Sequence, residues 1–458
     1  MEKYFNFNLK DALPNYVNKI IDCLEAAGYE AYAVGGCVRD MLLGLTPDDY
    51  DVTTAATPDE VKSALSDFVI HDTGLKHGTV TVVADDFPVE VTTFRIDGDY
   101  TDNRHPDNVT FTRSLKEDLS RRDFTINAMA YRRGSVIDYF GGQKDLSGKL
   151  IRAVGEPQKR FKEDGLRILR ALRFAAVYGF AVESDTAKAV HELRGLINNI
   201  AGERVAQELN KLVTGSVSGV IADYTGVFAE FIPEIAACKN FNQHNRFHDR
   251  DVLTHTLNAV DNAPADKVVR LALLFHDMGK PITFKLVEDN WNPGCLRGSF
   301  KAHAAASTEI ARKTMRSLKY DNDTFYKVCT LVKYHDIPIK TCEKAIKRLL
   351  NRFGEEMFFK LIDVHMADDS AKAKEMQERI PTFRKATEIA RKIIADEECF
   401  SLKQLAVKGG DLVQMGYQGR EVGEKLNFLL QSVISDRCAN EKKVLTDYLK
   451  SRDKRKIK

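Results

Sequence analysis

The first residues of the chain with clear chemical potential are two aspartates, Asp49 and Asp51, separated by a single tyrosine. Alternate residues of a strand face the same side of a sheet, so the run DYDVTT predicts two carboxylates that project together. Carboxylates so close repel each other, and a divalent cation such as Mg²⁺ offsets that repulsion. A pair of such ions can activate a hydroxyl nucleophile and stabilise a leaving group. A solvated acidic turn is the simpler interpretation of an isolated Asp-x-Asp.

Two further features flank this pair along the chain. Glu90 falls in the run PVEVTTFR, where alternation predicts a strand with the valines on the opposite face. A third carboxylate there would complete a metal site, although such residues are more often found on an edge-strand surface. Upstream, Gly35 and Gly36 follow a predicted strand and precede Arg39. The glycines would let a phosphate approach the backbone, and the following helix N-terminus and arginine would bind it, but a plain turn is also possible.

Together these features resemble the nucleotidyltransferase superfamily related to polymerase β. Two stretches narrow the resemblance: RRDFTINAMAY at 121–131 and EDGLRILRALRF at 163–174 are similar to signature motifs of the class II tRNA nucleotidyltransferases, the bacterial-type CCA-adding enzymes. The resemblance covers the first 180 residues closely and the rest of the chain more loosely. It implies Mg²⁺-dependent addition of C, C and A from CTP and ATP to the 3′ end of tRNA, without a nucleic-acid template.

The resemblance also implies roles for individual side chains. The Mg²⁺ ligands would be Asp49 and Asp51, with Glu90 as the third catalytic carboxylate. The nucleotide-binding residues would be Gly35, Gly36, Arg39, Arg122, Asp164, Arg167, Arg170 and Arg173. Asp164 and Arg167 would read the incoming base, because residues three apart on a helix are neighbours on its surface and together offer acceptors and donors to a Watson–Crick edge. A structural salt bridge between these two residues is the competing interpretation.

A polar stretch at 96–109, rich in Asp and Asn, predicts a mobile loop. In the family, a flexible loop between the Asp-x-Asp and Arg-Arg-Asp motifs is needed for adding the terminal A, and a shortened loop marks enzymes that add only CC. Its presence here favours A addition. A solvated loop without a special function is the alternative.

Histidines are concentrated in one part of the chain. Six of the eleven lie there: His244, His248, His255, His276, His303 and His335. The order of the last four, with Asp277 directly after His276, resembles the HD superfamily of metal-dependent phosphohydrolases, and LALLFHDMGKP is its distinctive piece. The resemblance implies that these five residues hold a divalent transition metal, which would activate water for phosphoester cleavage. The alternative is that this region is a structural remnant of an HD domain that binds no metal, with its polar groups satisfied by hydrogen bonds.

The secondary-structure elements predicted around these residues indicate an α+β fold. It would have a polymerase β-like nucleotidyltransferase head of mixed sheet and helices, followed by an all-α remainder. Alternating or β-branched runs predict strands at AYAV, DYDVTT, GTVTVVA, VEVTTFR, VTFT and VIDY. An amphipathic helix is predicted at 14–27. Ser114 and Glu117 form a capping-box start for a helix over SLKEDLSRRDFTINAMAY. Helical periodicity continues from about 143 to the C-terminus and is interrupted near 286–300.

Four domains are predicted from this pattern. They are a catalytic head at 1–142, a helical neck with the base-reading helix at 143–215, a helical body with the HD-type region at 216–395, and a helical tRNA-binding tail at 396–458. Basic residues of the tail would contact the acceptor and T arms of tRNA, and the tail would recognise the shape of A-form RNA rather than its sequence. Alternatively, these residues form a solvated face.

The composition fits a globular protein, with 43% hydrophobic and 29% charged residues. The net charge is only +2, so a nucleic-acid partner must be met by a local basic surface. The eight cysteines form no C-x-x-C pair, which argues against a zinc ribbon. No apolar run approaches the roughly 18 residues of a membrane span, and the N-terminus lacks the pattern of a signal peptide. We therefore expect a cytoplasmic enzyme without a membrane partner.

Several activities compete at this point. An enzyme that adds only the terminal A shares nearly every motif. A poly(A) polymerase is disfavoured because no basic, aromatic-rich signature follows the neck helix. A phosphohydrolase acting mainly through the HD region belongs to a different class. A protein that only binds RNA is disfavoured, because RNA binding does not require three carboxylates.

Overall fold

The computed structural model describes residues 13–98, 100, 108–244, 250–289 and 294–456, with side chains to residue 452. The chain divides into two compact units, Met1–Pro233 and Glu234–Lys458. The first unit combines a sheet with helices and the second is almost wholly helical, so the predicted α+β fold class is confirmed. The finer four-domain division stays a prediction. Within the described residues, no helix has the length and apolarity to cross a membrane.

The first unit is built on one mixed sheet and two small ones. Its strands are β1 Ala31–Val34, β2 Asp51–Thr54, β3 Val69–Gly74, β4 Thr79–Ala84, β5 Phe87–Thr93, β6 Arg95–Asp97, β7 Val109–Phe111, β8 Met129–Arg132, β9 Ser135–Asp138, β10 Leu150–Ile151 and β11 Ala181–Val182. The large sheet has seven strands in the order β3-β4-β5-β2-β1-β8-β9. Within the described residues, β2 and β5 are the parallel pair of this sheet, and their register places the start of β2 beside the middle of β5.

Helices pack around this sheet and continue beyond it. They are α1 Asn15–Ala26, α2 Gly36–Leu42, α3 Pro58–Ala64, α4 Leu115–Ser120, α5 Gly142–Ser147, α6 Pro157–Glu163, α7 Leu166–Tyr178, α8 Ser184–Glu192, α9 Gly202–Val213, α10 Ser218–Asp223 and α11 Thr225–Ala229. The amphipathic prediction at 14–27 is confirmed by α1, whose apolar face is buried. All six predicted strand runs contain an observed strand, whereas β3 has no counterpart among the sequence predictions.

The predicted helix over 114–131 is wrong beyond its first two turns. The N-terminal cap is present, because the Glu117 N–H donates to the Ser114 hydroxyl at 3.4 Å. The Glu117 carboxylate does not complete the box, since it accepts from the Thr112 hydroxyl instead. The chain then leaves the helix at Ser120 and becomes β8, because pairing with β1 and β9 satisfies its backbone within the sheet.

The second unit is a set of helices interrupted by one hairpin. The helices are α12 Ile235–Cys238, α13 Val252–Asn262, α14 Lys267–Phe275, α15 Lys280–Thr283, α16 His303–Ser317, α17 Asn322–Tyr334, α18 Glu343–Ser370, α19 Lys374–Gln377, α20 Ile380–Ala395, α21 Gly409–Gln414, α22 Arg420–Ile434 and α23 Lys442–Lys456. The hairpin pairs β12 Lys285–Glu288 with β13 Leu296–Ser299, which confirms the predicted interruption. Helix α18 is broken at Gly354, where φ is 75°. One core lies between α18 and α20, and another between α21, α22 and α23.

Candidate functional site

The acidic group of the head is assembled by the parallel pairing of β2 and β5. Asp51, the first residue of β2, is directly opposite Glu90 of β5. Residues paired in this way project from the same face, and neighbouring strands are about 4.8 Å apart. Val89 and Val91 are buried on the other face, as alternation predicted. The placement of Asp49 by strand alternation is wrong, because β2 begins only at Asp51 and Asp49 lies in the exposed segment before it.

Electrostatics links the three carboxylates nevertheless. Burial raises the pKa of Asp51 to about 6, and repulsion from Asp49 and Glu90 acts in the same direction, against attraction from Arg122. A cation beside Asp51 would relieve this repulsion, so the residues present fit a divalent ion such as Mg²⁺. The three carboxylates of the head are less closely grouped than the ligands of a closed metal site. Among the described residues, the groups that bring three ligand atoms within 4.8 Å of one another both lie in the second unit.

A turn at Gly35 brings an arginine close to this acidic group. Gly35 has φ 82°, a conformation that residues with a Cβ rarely adopt. A Cβ at this position would lie 2.9 Å from Nη1 of Arg122, so glycine also leaves room for the guanidinium. The Arg122 guanidinium lies 3.7 Å from Asp118 and attracts Asp51. Gly35 and Arg122 thus lie near Asp51, and the contacts of Gly35, Gly36 and Arg122 with a triphosphate stay a prediction.

Arg39 has a different environment from the one expected of a phosphate ligand. Its Nε and Nη2 donate to the Asp40 carboxylate at 2.9 and 2.8 Å, and its Nη1 donates to Asn127 Oδ1 at 2.7 Å. The guanidinium also lies over the rings of Phe174 and Tyr178. These contacts make Arg39 a buried link between α2 and α7, and its nucleotide contact stays a prediction.

The base-reading pair is not arranged as the sequence predicted. Asp164 lies in the break between α6 and α7 in an extended conformation, so Asp164 and Arg167 are not i, i+3 neighbours on one helix. The break is stabilised because the Asp164 carboxylate accepts from the Leu166 N–H at 3.0 Å. Asp164 is bound by Arg204 of α9 at 2.8 Å, and Arg167 by Glu163 at 2.7 Å. No mutual salt bridge is seen between these two described residues.

The remaining two arginines of α7 join the neck helix to buried acids. Arg170 Nε donates to Asp123 at 2.7 Å, and Arg173 lies 3.1 Å from Glu208 of α9. Arg170 lies 4.0 Å from Glu208 as well. The two signature stretches recognised in the sequence therefore meet through the ion pair of Asp123 and Arg170.

The predicted loop at 96–109 is described only at its ends. Residues 99 and 101–107 lie outside the described residues, and the stated mobility is not addressed. At the base of the loop, β6 pairs with β7 in antiparallel register. Tyr100 donates a hydrogen bond to Asp97 at 2.8 Å.

In the second unit, the four histidines and the aspartate predicted as an HD site come together. His255 lies on α13, His276 and Asp277 follow α14, His303 begins α16 and His335 follows α17. Asp277 and the histidines other than His303 are almost fully buried. His244 is exposed and outside this cluster, with its ring beside Phe284, and His248 lies outside the described residues.

The sequence missed one member of the cluster, Asp368 of α18. Its Oδ1 lies 3.0 Å from Nε2 of His255 and 3.6 Å from Nε2 of His276. Lys372 pairs with its other oxygen at 2.6 Å, and Lys280 pairs with Asp277 at 2.7 Å. An aspartate near the end of a charged helix carries no sequence signal that separates a ligand from a solvated residue.

All four imidazoles are oriented in the same manner. Each Nδ1 lies near a backbone carbonyl, and each Nε2 is directed at the carboxylates. The carbonyls are those of Ala371, Leu273, Phe300 and Val332, at 3.4, 2.6, 2.9 and 2.8 Å. Donation from Nδ1 fixes the tautomer that leaves Nε2 as an acceptor, which is the arrangement of histidines that bind metals.

The glycine of the HDMGK run explains how two of these elements approach each other. A Cβ at Gly279 would lie 2.5 Å from the His303 carbonyl oxygen and 2.6 Å from the Ser307 nitrogen. Only glycine therefore allows the segment after Asp277 to pack against the start of α16, where His303 lies.

The electrostatics of the cluster favour a cation. Burial opposes protonation of His276, but Asp277 and Asp368 outweigh it and raise its pKa to about 10. Burial, with repulsion from His276, lowers the pKa of His335 to about 4. A cavity of about 210 Å³ adjoins the cluster, and its lining includes His303, His335 and Asp336.

Comparison with family models identifies three regions of the chain. Residues 31–152 match the poly(A) polymerase head domain. Residues 179–239 match a probable RNA and SrmB-binding site of polymerase A, and residues 300–449 match a putative second domain of tRNA nucleotidyltransferases.

Curated relatives include CCA-adding enzymes of bacteria. The one from Leuconostoc mesenteroides is 54% identical over 198 residues, which is 43% of this chain and 49% of the relative. The one from Geobacillus kaustophilus is 48% identical over 223 residues, which is 48% of this chain and 54% of the relative. The chain thus spans about half the length of these curated relatives.

Solved structures cover nearly the whole chain. The Bacillus stearothermophilus CCA-adding enzyme in complex with CTP is 29% identical, with a TM-score of 0.70 over 96% of this chain and 98% of that one. The Thermotoga maritima CCA-adding enzyme complexed with tRNA is 17% identical, with a TM-score of 0.56 over 97% of each chain, and shows a similar fold. The chain is thus similar to bacterial CCA-adding enzymes in the sequence of its head and second domain and in its fold.

Proposed function

We propose that the protein adds C, C and A in order to the 3′ end of tRNA, using CTP and ATP and releasing pyrophosphate. The observation that carries the proposal is the direct pairing of Asp51 with Glu90 on parallel strands, beside the Gly35 turn and the Arg122 guanidinium. The activity named for its relatives, and the CTP complex of one of them, support the same conclusion.

Each part of the head contributes to this reaction. Asp49, Asp51 and Glu90 would hold Mg²⁺, which when bound supplies positive charge for the 3′-hydroxyl and the triphosphate. Gly35 and Gly36 leave the backbone open to phosphate, and Arg122 adds charge on the same side. Asp164, in the break between α6 and α7, and Arg167, in the first turn of α7, would select the base. The RNA-binding match at 179–239 supports the tRNA partner, and a tRNA substrate is consistent with the expected cytoplasmic enzyme.

The test uses purified protein, Mg²⁺ and three tRNA transcripts: one lacking CCA, one ending in C and one ending in CC. We expect CTP alone to extend the first transcript by two nucleotides, and ATP to extend only the third by one. The Asp51→Asn variant should lose extension of all three. Asp48→Asn is the matched control, because Asp48 is an exposed neighbour outside the acidic group.

Each alternative gives a distinct pattern in this assay. An enzyme that adds only A would extend the CC transcript and leave the other two unchanged. A poly(A) polymerase would add many adenylates to any of them. Failure of all nucleotides to enter RNA would refute the proposed function.

We infer a second activity, phosphoester hydrolysis at the histidine cluster of the second unit. The observation in favour is that four Nε2 atoms and the carboxylates of Asp277 and Asp368 converge, with each Nδ1 near a backbone carbonyl. These donors suit a divalent transition metal, which when bound lowers the pKa of water. The neighbouring cavity gives a phosphoester access to His303 and His335.

Hydrolysis of p-nitrophenyl phosphate and bis-p-nitrophenyl phosphate, measured with Mn²⁺, Co²⁺ or Ni²⁺, tests this second activity. His276→Ala should abolish it while leaving tRNA extension intact, and Asp51→Asn should do the reverse. Hydrolysis that survives His276→Ala, or is lost in Asp51→Asn, would rule out the cluster as its source.

A further inference from the structure

Aromatic and basic side chains lie together on α17 and the first half of α18. Tyr326 of α17 is an aromatic residue with 66% of its surface exposed. Lys333 is also exposed and lies almost two turns further along the helix, on the same face. Tyr334, the last residue of α17, is half-buried beside it. From Tyr326 to Tyr334 these side chains extend over about 12 Å of helix.

Tyr334 joins this face of α17 to the first half of α18. Arg352 Nη2 donates to the Tyr334 hydroxyl at 2.7 Å, and the guanidinium lies 4.2 Å from the centre of the Tyr334 ring. The ring centres of Phe353 and Tyr334 are 5.2 Å apart, and α18 is broken directly afterwards at Gly354. One guanidinium plane and two rings therefore form a partly exposed face of flat groups.

This surface is positively charged. Arg348 lies one turn before Arg352 on the same side of α18. Both arginines and Lys333 are exposed, and no ion pair of these three residues is seen within the part of the chain that the structure describes. Burial opposes ionisation of the Tyr334 hydroxyl, but Lys333 and Arg352 outweigh it and lower its pKa. The positive charge of the surface is therefore available to an anionic partner.

Flat side chains beside unpaired cations are typical of surfaces that bind single-stranded nucleic acid. The cations attract phosphates, while rings and guanidinium planes stack on the faces of unpaired bases. In an A-form duplex the base faces are covered by the neighbouring base pairs, so a duplex would gain only the phosphate contacts. An acidic protein would likewise gain charge contacts without stacking. The observations therefore favour unpaired nucleotides over these two partners.

We propose that single-stranded RNA binds across this α17–α18 surface, which is formed by Tyr326, Lys333, Tyr334, Arg348 and Arg352. Tyr326 stacks on one base, and Arg352 with Tyr334 stacks on another. Lys333 and Arg348 bind the phosphates. The surface precedes the predicted tRNA-binding tail in the chain, and it recognises unpaired nucleotides instead of the shape of a duplex. The proposal goes beyond nucleotide addition, because binding here needs neither the head carboxylates nor Mg²⁺.

The test measures binding of a fluorescent single-stranded RNA of about ten nucleotides to the full-length chain in EDTA. A hairpin RNA and poly-glutamate are the comparison probes. Tyr326→Ala should weaken single-strand binding about tenfold, and Tyr326→Phe should retain it because phenylalanine keeps the ring. Arg352→Gln should reduce the slope of log affinity against log salt concentration by about 0.7, the value for one phosphate contact on a single strand.

Two variants serve as matched controls and should bind like the unmodified protein. Tyr139→Ala removes an exposed tyrosine of the first unit, and Arg312→Gln removes an exposed arginine of α16. Circular dichroism verifies that each variant is folded. Cross-linking locates the RNA: a strand that carries iodouridine should form adducts with Tyr326 or Tyr334, which mass spectrometry of the peptides identifies.

The outcomes separate this proposal from its alternatives. Adducts confined to the first unit, or single-strand binding unchanged in both Tyr326→Ala and Arg352→Gln, would overturn it. Equal losses for the single strand, the hairpin and poly-glutamate in Tyr326→Ala would show a site for any polyanion and overturn the stacking. A chain that binds the single strand as expected but fails to extend tRNA would refute only the proposed function.

Discussion

The ion pair of Asp123 and Arg170 is the best place to test how the head and the neck helix are joined. Asp123 is 8% exposed and accepts three hydrogen bonds. Its Oδ1 accepts from the Phe124 N–H and from Asn127 Nδ2, and its Oδ2 accepts from Nε of Arg170, with Nη2 of Arg170 at 2.6 Å. The change Asp123→Asn keeps the shape of the side chain and removes its charge.

The size of the effect follows from burial. Loss of one partner from a buried ion pair costs about 3–5 kcal/mol. Arg170 is one-third exposed and lies 4.0 Å from Glu208, which partly compensates for the lost charge. We therefore expect Asp123→Asn to lower the free energy of unfolding of the first unit by about 3 kcal/mol, at the low end of that range.

The pH dependence has a definite sign. Burial opposes ionisation of Asp123, but Arg170 and Asn127 outweigh it and hold its pKa below the usual range. A lowered carboxylate pKa stabilises the fold above the unfolded value of about 4, and this stabilisation is lost as the pH falls further. The difference between Asp123→Asn and the unmodified protein should be constant from pH 8 to pH 5 and shrink below about pH 4.

The assay must report on the first unit alone. Urea unfolding followed by hydrogen exchange of peptides from β8 and α7 meets this need. A double-mutant cycle with Arg170→Met should give a coupling energy of about 2 kcal/mol, and the exposed Asp22→Asn serves as the matched control. If Asp123→Asn unfolds like the unmodified protein while the KM for CTP and ATP rises, Arg170 binds nucleotide and the structural reasoning is wrong.

Three further changes test other parts of the structure. Gly35→Ala should destabilise the head by about 1–3 kcal/mol in urea unfolding and raise the KM for nucleotides, because a Cβ there has positive φ and meets Arg122. Arg204→Met should reduce discrimination against UTP and GTP in tRNA extension by about tenfold, because Asp164 loses its bidentate partner. Arg204→Lys should restore part of this discrimination. Lys372→Met should lower the melting temperature of the second unit in the absence of metal, because it removes the cation between two acids of α18. Adding Mn²⁺ should restore the melting temperature, since a divalent ion replaces that cation. An equal loss with and without Mn²⁺ would contradict this.

Local patterns in the sequence predicted the elements that depend on local physics. Alternation identified β5 and the orientation of Glu90, and amphipathic spacing identified α1. The apolar run before His276 is the buried helix α14. In each case the burial of one face decides the structure, and that information lies within a few neighbouring residues.

The errors come from contacts between distant residues. The capping-box start at Ser114 predicted a helix through residue 131, but β8 begins at Met129 because β1 offers it backbone partners. Asp164 looks like part of a continuous charged helix, yet its carboxylate caps the next helix and binds Arg204, forty residues away. Asp368 was missed for a similar reason, since only the folded packing of α18 against α13 and α14 brings it to the histidines. Side-chain types alone do not encode such partners.

The arrangement of Asp164 and Arg167 bears on how a protein selects a base without a template. Both side chains are already engaged: Asp164 by Arg204 and the Leu166 N–H, and Arg167 by Glu163 at 2.7 Å. In the proposed reaction, a nucleotide would therefore bind this pair only by exchanging existing hydrogen bonds for bonds to its own base edge. A base that replaces every bond is accepted, whereas a base that leaves one buried donor or acceptor unpaired costs about 1–3 kcal/mol. Under this proposal, selection would arise from the penalty for the wrong base. Removal of Arg204, which holds Asp164 in place, should therefore weaken discrimination more than it weakens catalysis.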